Sequence, residues 1–266
     1  MGENAAGELA RIREELAAFR IGSVPYLNAA PLTYGIADDL IFDVPAKLAD
    51  RFARGELDAA LIPVFEAVSR ESATIADDIA IASEGEVFSV FLASREPVEE
   101  LESVALDPNS RTSSHLLQCL FAEFIQGDVT FTASPVDDNQ ARLIIGDPAI
   151  DFHRSPEAAE WRILDLGEEW LRRTELPFVF ACWVIRQGQP EAARLADLLR
   201  RVKTLGVAAR GAIARDSADP EFTLRYLTEN VRFDLGDSAR QAIALYGALL
   251  RKHGLVSVGG PEISYV

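Results

Sequence analysis

Short apolar runs alternate with amphipathic segments through the first third of the chain. The pattern predicts a strand over residues 19–26, after which a helix can begin at Asn28. A second helix is predicted from Pro45 to Gly55, and a strand follows it at Ala59–Ile62. Strands that alternate with helices are typical of βαβ units, so this part of the chain predicts an α/β fold with a largely parallel sheet.

The middle of the chain continues this alternation and predicts two lobes. Further strands are predicted at Val87–Ser94, Val104–Leu106, Val129–Thr132, Leu143–Ile145 and Phe178–Ile185. The strands at 87–94 and 178–186 would cross between the lobes, so lobe I is predicted to comprise residues 1–93 plus 187–266, and lobe II residues 94–186. A ligand is expected in the cleft between the lobes, at the carboxyl ends of strands.

The last part of the chain is predicted to be helical. Apolar residues at helical spacing mark the first of its helices, namely Leu195, Leu198, Leu199, Val202 and Leu205. A second helix starts at Asp219, and Ser238 with Gln241 three residues later is predicted to form a capping box for a third. Ser155 is likewise predicted to cap an earlier helix. These C-terminal helices would complete lobe I, and whether they also form a homodimer contact stays open.

The first twenty residues lack the continuous apolar core of a secretory signal, which favours a cytoplasmic location. Their apolar residues predict a short amphipathic helix, with an unstructured tail as the alternative; these residues are Leu9, Ile12, Leu16 and Phe19. No apolar run approaches the roughly 20 residues that would cross a membrane. Cys119 and Cys182 each lie in an apolar stretch, so we expect two buried, reduced thiols rather than a disulfide.

The acidic balance of the chain narrows the choice of ligand. Its net charge of −16 argues against nucleic acid as a partner, because phosphate contacts need clustered Lys and Arg. A small anionic ligand would have to be held by local donors against this overall charge. His115, His153 and His253 show no metal-ligand spacing, and no nucleotide-binding glycine motif is present, so neither a metal nor a cofactor is expected.

Three polar segments interrupt strand ends or precede helices. Asn28 follows the first strand and can offer its amide to a cleft, although a helix cap is the plainer interpretation. Segment 107–114 combines hydroxyl side chains with a predicted helix start and therefore predicts an anion site. Arg111 would either add a guanidinium fork to a carboxylate there or lie on the surface. Asp147, after Gly146, either caps the next turn or faces the cleft.

Several motifs in series resemble the chorismate dehydratase family of the futalosine route to menaquinone. They are Tyr26-Leu27-Asn28 with Pro31, the segment 45–63 around Gly55-Glu56-Leu57-Asp58, Ser110-Arg111-Thr112-Ser113, Ile145-Gly146-Asp147, and Leu166–Trp170 followed by Leu176–Phe180. The resemblance implies a two-lobed fold like that of type II periplasmic binding proteins. It also implies a lyase that removes water from chorismate, a dianion, to give 3-[(1-carboxyvinyl)oxy]benzoate.

The resemblance also implies roles for individual residues. It makes Asn28 the first choice for the catalytic contact, and Ser89, on the first crossover strand, the second. The substrate-binding residues that it implies are Tyr26, Ser110, Arg111, Thr112, Ser113 and Asp147. Because no conventional base stands out, a carboxylate of the substrate itself is our hypothesis for the proton acceptor.

Three other functions share this pattern of elements. A solute-binding protein for a small anionic ligand would use the same fold but would normally be exported. Dihydroxynaphthoate synthase, which acts later in the same pathway, is a related enzyme, although segment Ser110–Ser113 favours the dehydratase. The effector lobe of a transcription regulator is disfavoured, because twenty residues before the first strand are too few for a helix-turn-helix domain. One departure from the family is Pro25, which has no N–H with which to contact a ligand.

Overall fold

A computed structural model of the chain describes residues 3–125, 129–133, 141–257, 259–260 and 262–266. Two β-sheets organise these residues, one of six strands and one of five. Helices pack on both sheets, as the alternation of elements along the sequence predicts.

The strands in chain order are β1 (Ile21–Ser23), β2 (Ile41–Phe42), β3 (Ala59–Pro63), β4 (Ser72–Ser83), β5 (Val90–Ser94), β6 (Ser103–Ala105), β7 (Thr130–Thr132), β8 (Ala141–Ile145), β9 (Arg162–Asp165), β10 (Phe178–Ile185) and β11 (Glu262–Tyr265). The α-helices are α1 (Glu3–Leu16), α2 (Pro45–Ala53), α3 (Val64–Val68), α4 (Arg111–Glu123), α5 (Gly146–His153), α6 (Leu166–Thr174), α7 (Ala192–Ala208), α8 (Arg210–Arg215), α9 (Pro220–Arg225) and α10 (Asp237–Lys252). Short 3-10 helices lie at Leu27–Leu32, Ala37–Asp39, Val98–Glu100 and Pro156–Glu160, and a single π-helical turn lies at Tyr226–Asn230.

The first sheet has the strand order β11-β4-β10-β3-β1-β2, and the second has the order β7-β6-β8-β5-β9. Strand β1 runs parallel to β2 and β3, whereas β10 runs antiparallel to β3 and β4. Every residue of β3 is buried, and β10 is buried at all but one position. Strands covered on both faces need apolar residues without alternation, which is the pattern that predicted both of them.

The chain crosses between the sheets at two places. It leaves the first sheet after Ser83 and joins the second at Val90, then leaves the second after Asp165 and rejoins the first at Phe178. The two predicted crossover strands directly follow these crossings, with β5 in the second sheet and β10 in the first. The sheets thus divide the chain earlier than the predicted lobe boundaries, and those boundaries stay a prediction.

The N-terminal segment forms the predicted helix and not an unstructured tail. Helix α1 buries Leu9, Ile12 and Leu16 and packs against α7. Its apolar spacing therefore reports a real contact with the body of the protein.

The predictions about the cysteines and about membrane-spanning segments can be compared with the structure. Cys119 and Cys182 are both free and buried, which confirms the expected reduced thiols. Among the residues that the structure describes, none of the helices combines the length and apolar composition needed to cross a bilayer.

Helix caps were predicted with mixed success. Asp219 caps α9 as predicted, since its carboxylate accepts a backbone N–H of that helix. Ser238 does not cap α10, because the helix already begins at Asp237 and Ser238 lies within its first turn. Ser155 precedes only a short 3-10 helix, and its hydroxyl donates to the carbonyl oxygen of Phe152 instead of capping.

The longest strand in the described part of the chain, β4, escaped prediction. Asp77 and Asp78 interrupt its apolar pattern, and Asp78 has a left-handed φ of 63°. Buried Lys203 compensates for this irregularity, since its ammonium donates to the carbonyl oxygen of Asp78 at 2.7 Å and to the carboxylate at 2.8 Å. The strand therefore depends on a distant lysine that its own sequence does not reveal.

Helix α7 packs closely against the 3-10 helix Leu27–Leu32 at Gly206. A Cβ atom at this glycine would lie 1.8 Å from the carbonyl oxygen of Pro31, so only a residue without a side chain permits the approach. This contact fixes the position of the short helix that carries Asn28.

Candidate functional site

A cavity that is partly open to solvent lies where elements of the two sheets meet. Both lobes line it, through Val24, Tyr26, Asn28, Pro45, Leu61, Pro63, Ile81, Val90, Ser110, Thr112, Ser113, Ile145, Gly146, Phe180 and Ala181. None of these described lining residues carries a formal charge.

Three helices of eight or more residues begin at this cavity. Pro45 starts α2, Ser110 is the N-cap residue of α4, and Gly146 starts α5, and all three line the cavity. The N-terminus of a helix presents free backbone N–H groups and the positive end of the helix dipole. The cavity therefore favours a negatively charged ligand without placing a cationic side chain against it.

The start of α4 gathers three of the predicted binding residues. The Ser110 hydroxyl accepts the N–H of Ser113 at 3.2 Å, as an N-cap does, and all of Ser110, Thr112 and Ser113 are buried. Thr112 reaches the first lobe, because its Oγ1 accepts the N–H of Phe65 at 3.1 Å and its carbonyl oxygen accepts the Tyr246 hydroxyl at 3.1 Å. The structure thus brings these hydroxyls together on one wall of the cavity.

Arg111 lies apart from the other predicted binding residues. It is not among the residues that line the cavity. Its guanidinium instead donates to Glu66 at 2.8 Å and to Asp50 at 2.6 Å, both in the first lobe. In this conformation Arg111 connects α4 to α2 and α3 through ion pairs. Its predicted role, the binding of a substrate carboxylate through its guanidinium, stays a prediction.

Tyr26 and Asp147 connect the two walls of the cavity. Gly146 has a φ of +67°, and an added Cβ there would lie 3.2 Å from the ring of Tyr26, so a glycine lets the tyrosine pack on the start of α5. Asp147 Oδ1 accepts the N–H of Leu27 at 3.0 Å and thereby caps the 3-10 helix of the other lobe, not its own. Burial raises the pKa of Asp147, and burial also raises the pKa of Tyr26.

The two predicted catalytic residues differ in their relation to the cavity. Asn28 lines the cavity, and its buried Oδ1 has no hydrogen-bond partner. Ser89 is fully buried beside the lining residue Val90 and does not itself line the cavity. Its carbonyl oxygen accepts the N–H of Gly146 at 2.8 Å, and its hydroxyl accepts that of Tyr226 at 2.7 Å.

Asp165 holds both places where the chain crosses between the sheets, and sequence reasoning missed it. Its carboxylate accepts the N–H groups of Val87 at 3.0 Å and Phe88 at 2.7 Å in the first crossing. It also accepts those of Gly167 at 2.9 Å and Glu168 at 3.0 Å at the start of α6. Burial raises the pKa of Asp165 to about 6, against the opposing effect of these N–H donors.

Two of the three histidines stack on aromatic rings, and the third, His253, lies against the carboxylate of Glu123. His115 stacks on Phe65 with ring centroids 3.9 Å apart, and His153 stacks on Phe88 at 4.2 Å. Burial lowers the pKa of His115. Within the described ranges no group of three or more His, Cys, Asp or Glu side chains could hold a metal ion.

Comparison of the sequence with known proteins assigns the chain to a family. A sequence model described as menaquinone biosynthesis matches residues 19–252. The chain belongs to this menaquinone biosynthesis family. A chorismate dehydratase of Thermus thermophilus is 28% identical over 256 residues, which cover 86% of this chain and 94% of the relative. A chorismate dehydratase of Campylobacter jejuni is 28% identical over 158 residues, which cover 59% of this chain and 58% of that relative.

Solved structures of low sequence identity share the fold of this family member. A protein of Archaeoglobus fulgidus has a TM-score of 0.68 at 15% identity, covering 90% of this chain and 98% of that one. The periplasmic aliphatic sulphonate binding protein of Escherichia coli has a TM-score of 0.62 at 12% identity, covering 91% and 94%. The predicted two-lobed fold, like that of periplasmic binding proteins, is confirmed.

Proposed function

We propose that this protein is a chorismate dehydratase, a carbon–oxygen lyase of menaquinone biosynthesis. The observation that carries the proposal is the alignment of 86% of the chain with 94% of the Thermus thermophilus chorismate dehydratase. The family match over residues 19–252 points to the same pathway. The substrate would be the chorismate dianion, and the product 3-[(1-carboxyvinyl)oxy]benzoate.

The cavity suits this reaction. The C3–H bond of the ring breaks, its electron pair forms the C3–C4 double bond, and the C4–O bond breaks, so that proton and hydroxide leave together as water. Because the ring becomes aromatic, the protein mainly has to orient the substrate, exclude water and hold two carboxylates. A partly enclosed cavity with helix N-termini and buried hydroxyls supports such a task.

Two walls would divide the work between them. Asn28 would contact the reacting ring through its amide, whose Oδ1 is buried and unpartnered. The α4 wall with Ser110, Thr112 and Ser113 would receive a carboxylate, and Tyr26 would close the cavity over the ring. Asp147 would brace the 3-10 helix through the N–H of Leu27 and so keep Asn28 in place.

The proton would pass to the substrate itself. Among the lining residues only Tyr26 is ionisable, and burial raises its pKa, so it stays protonated at neutral pH and is no base. A carboxylate of the bound substrate would accept the ring proton and pass it to the departing C4 hydroxyl, so that water leaves and the carboxylate is restored. This proposal explains why a lyase can work in a cavity without a conventional base.

Turnover of chorismate by the purified protein tests the proposal. Incubation followed by chromatography with mass detection should show a product lighter than chorismate by one water, with the retention of authentic carboxyvinyloxy benzoate. Chorismate that binds in calorimetry and is recovered unchanged would contradict the dehydratase and leave a binding protein. A reaction with dihydroxynaphthoate-pathway substrates alone would point to the related synthase.

A further inference from the structure

Tyr226 hydrogen-bonds to one of the two predicted catalytic residues and lies near the other, although it belongs to a part of the sequence remote from both. Its side chain is 1% exposed, and its hydroxyl donates to Ser89 Oγ at 2.7 Å. Burial raises the pKa of this hydroxyl, and the nearby Asn28 side chain opposes part of that rise. The phenol therefore binds Ser89, at the first crossing between the sheets, and lies near Asn28, on the cavity wall.

The Tyr226 hydroxyl is the donor in its hydrogen bond with Ser89. Burial raises the pKa of Tyr226 well above the ordinary tyrosine value, and the nearby charge of Asp147 raises it further. The phenol consequently keeps its proton and offers it to Ser89. Since a serine hydroxyl has a single proton, Ser89 Oγ that accepts from Tyr226 must direct its own proton elsewhere.

The backbone holds Tyr226 firmly in this position. Tyr226 begins the π-helical turn Tyr226–Asn230, a rare local geometry that often occurs at functional sites. Its ring stacks on Phe222 with centroids 5.9 Å apart and planes 11° apart. The ring packing does not involve the hydroxyl, so a phenylalanine at this position would keep the packing and lose only the hydrogen bonds.

We propose that Tyr226 is a positioning residue for the dehydration, which fixes the Ser89 hydroxyl and the Asn28 amide relative to each other. This inference rests on the proposed function. Tyr226 itself does not line the cavity and is not expected to touch the substrate. Its contribution is to orient two side chains that the 3-10 helix and the crossing segment bring together from distant parts of the chain.

The Tyr226→Phe variant tests the inference against Tyr246→Phe as a matched control. Tyr246 is equally buried, and its hydroxyl donates to a backbone carbonyl, that of Thr112, instead of to a side chain. We expect Tyr226→Phe to lower kcat for chorismate about 10- to 100-fold with KM changed less than about threefold, because misplaced reacting groups cost turnover more than binding. Tyr246→Phe should keep kcat within about threefold of the wild type.

A double variant separates positioning from a general loss of structure. If Tyr226 acts through Ser89, the variant Tyr226→Phe with Ser89→Ala should have the kcat of Ser89→Ala alone, within about threefold. Losses that multiply would contradict the inference, because they would show two independent contributions. Thermal unfolding of the wild type, the single variants and the double variant checks that each protein is folded when kcat is measured.

The remaining outcomes are also decisive. A folded Tyr226→Phe with wild-type kcat overturns the positioning role while the proposed function stands. A wild-type protein without turnover of chorismate overturns the proposed function, and the positioning role falls with it. If Tyr226→Phe does not fold, Ser89→Ala takes its place, since removal of the acceptor should also lower kcat with little change in KM.

Discussion

The two lobes meet in two kinds of contact, and the contrast assigns them different tasks. Near the crossings, Tyr226, Ser89 and Asp165 make buried bonds that involve hydroxyls and backbone N–H groups. At the start of α4, Arg111 makes partly exposed ion pairs with Glu66 and Asp50. Buried bonds hold one geometry, whereas exposed ion pairs are weak and are screened by salt. We therefore expect chemistry to depend on the first set and lobe closure on the second.

The largest effect should follow from Asn28→Ala. Loss of a preorganised amide at the reacting ring should lower kcat by about 10²- to 10³-fold while chorismate still binds in calorimetry. Asn109→Ala is the control, because Asn109 is exposed in the turn before α4. A kcat for Asn28→Ala equal to that of the control would show that Asn28 does not contribute to catalysis. The expectation that catalysis depends on the buried contacts would then lose its main support.

The next effect concerns Asp165 and pH. Its pKa is raised from the ordinary 3.8 to about 6, so the folded chain holds this proton more tightly than the unfolded chain. The stabilisation is fully present below about pH 3.8 and is lost as the pH rises through about 6. Relative to Asp165→Asn, the free energy of unfolding of the wild type should fall by at most about 3 kcal/mol over this range.

Urea unfolding at several pH values between 4 and 7.5, on the order of one unit apart, measures this dependence. Subtracting the Asp165→Asn curve removes the contribution of the many other carboxylates. Parallel curves for the two proteins would show that Asp165 does not titrate with a raised pKa. The buried crossings would then be no more sensitive to protons than the rest of the chain.

A smaller effect is expected at the cap of α4. Ser110→Ala removes the acceptor for the Ser113 N–H and should lower the free energy of unfolding by about 1 kcal/mol. Ser238→Ala, at an exposed serine that makes no cap, should change it by less than about 0.5 kcal/mol. If Ser110 also receives a substrate carboxylate, KM for chorismate should rise in the first variant alone. Equal KM values would limit Ser110 to its structural role.

The smallest effect should be that of the ion pairs. Arg111→Gln removes both of them and should cost about 0.5 kcal/mol in stability and raise KM less than about threefold, since Arg111 and Asp50 are partly exposed and buried Glu66 keeps its ion pair with Arg70. Arg54→Gln, which breaks a pair with Glu56 within one lobe, is the control and should leave KM unchanged. A KM increase above about 30-fold for Arg111→Gln would instead indicate a direct contact with the substrate.

The sequence predicted the parts of the site that are local. Asn28 and Ser110 lie where a strand or loop leads into a helix, and residue type alone marks such positions. The contacts of Arg111 could not be predicted in the same way, because a long side chain can reach several partners. Its partners Glu66 and Asp50 are 45 and 61 residues away in the sequence. The role of Tyr226 could not be predicted, since an aromatic residue in a C-terminal helical segment has the pattern of ordinary core packing.

The fold, too, was predicted where the sequence pattern is local and missed where distant residues interact. Alternating elements predicted two lobes, and the apolar runs of β3 and β10 were recognised because burial on both faces leaves a clear pattern. Strand β4 was missed, because Asp77 and Asp78 break its pattern and the compensating Lys203 lies 125 residues from Asp78. Long-range compensation of this kind has no signature in a local window of sequence.

The contact at Gly206 gives this enzyme an unexpected point of mutational fragility. A single methyl group there would have to displace the backbone at Pro31, three residues beyond Asn28. In a library of random variants, position 206 should therefore be intolerant of every substitution, alanine included. Directed evolution toward new substrates would have to leave this glycine alone while it varies the cavity wall.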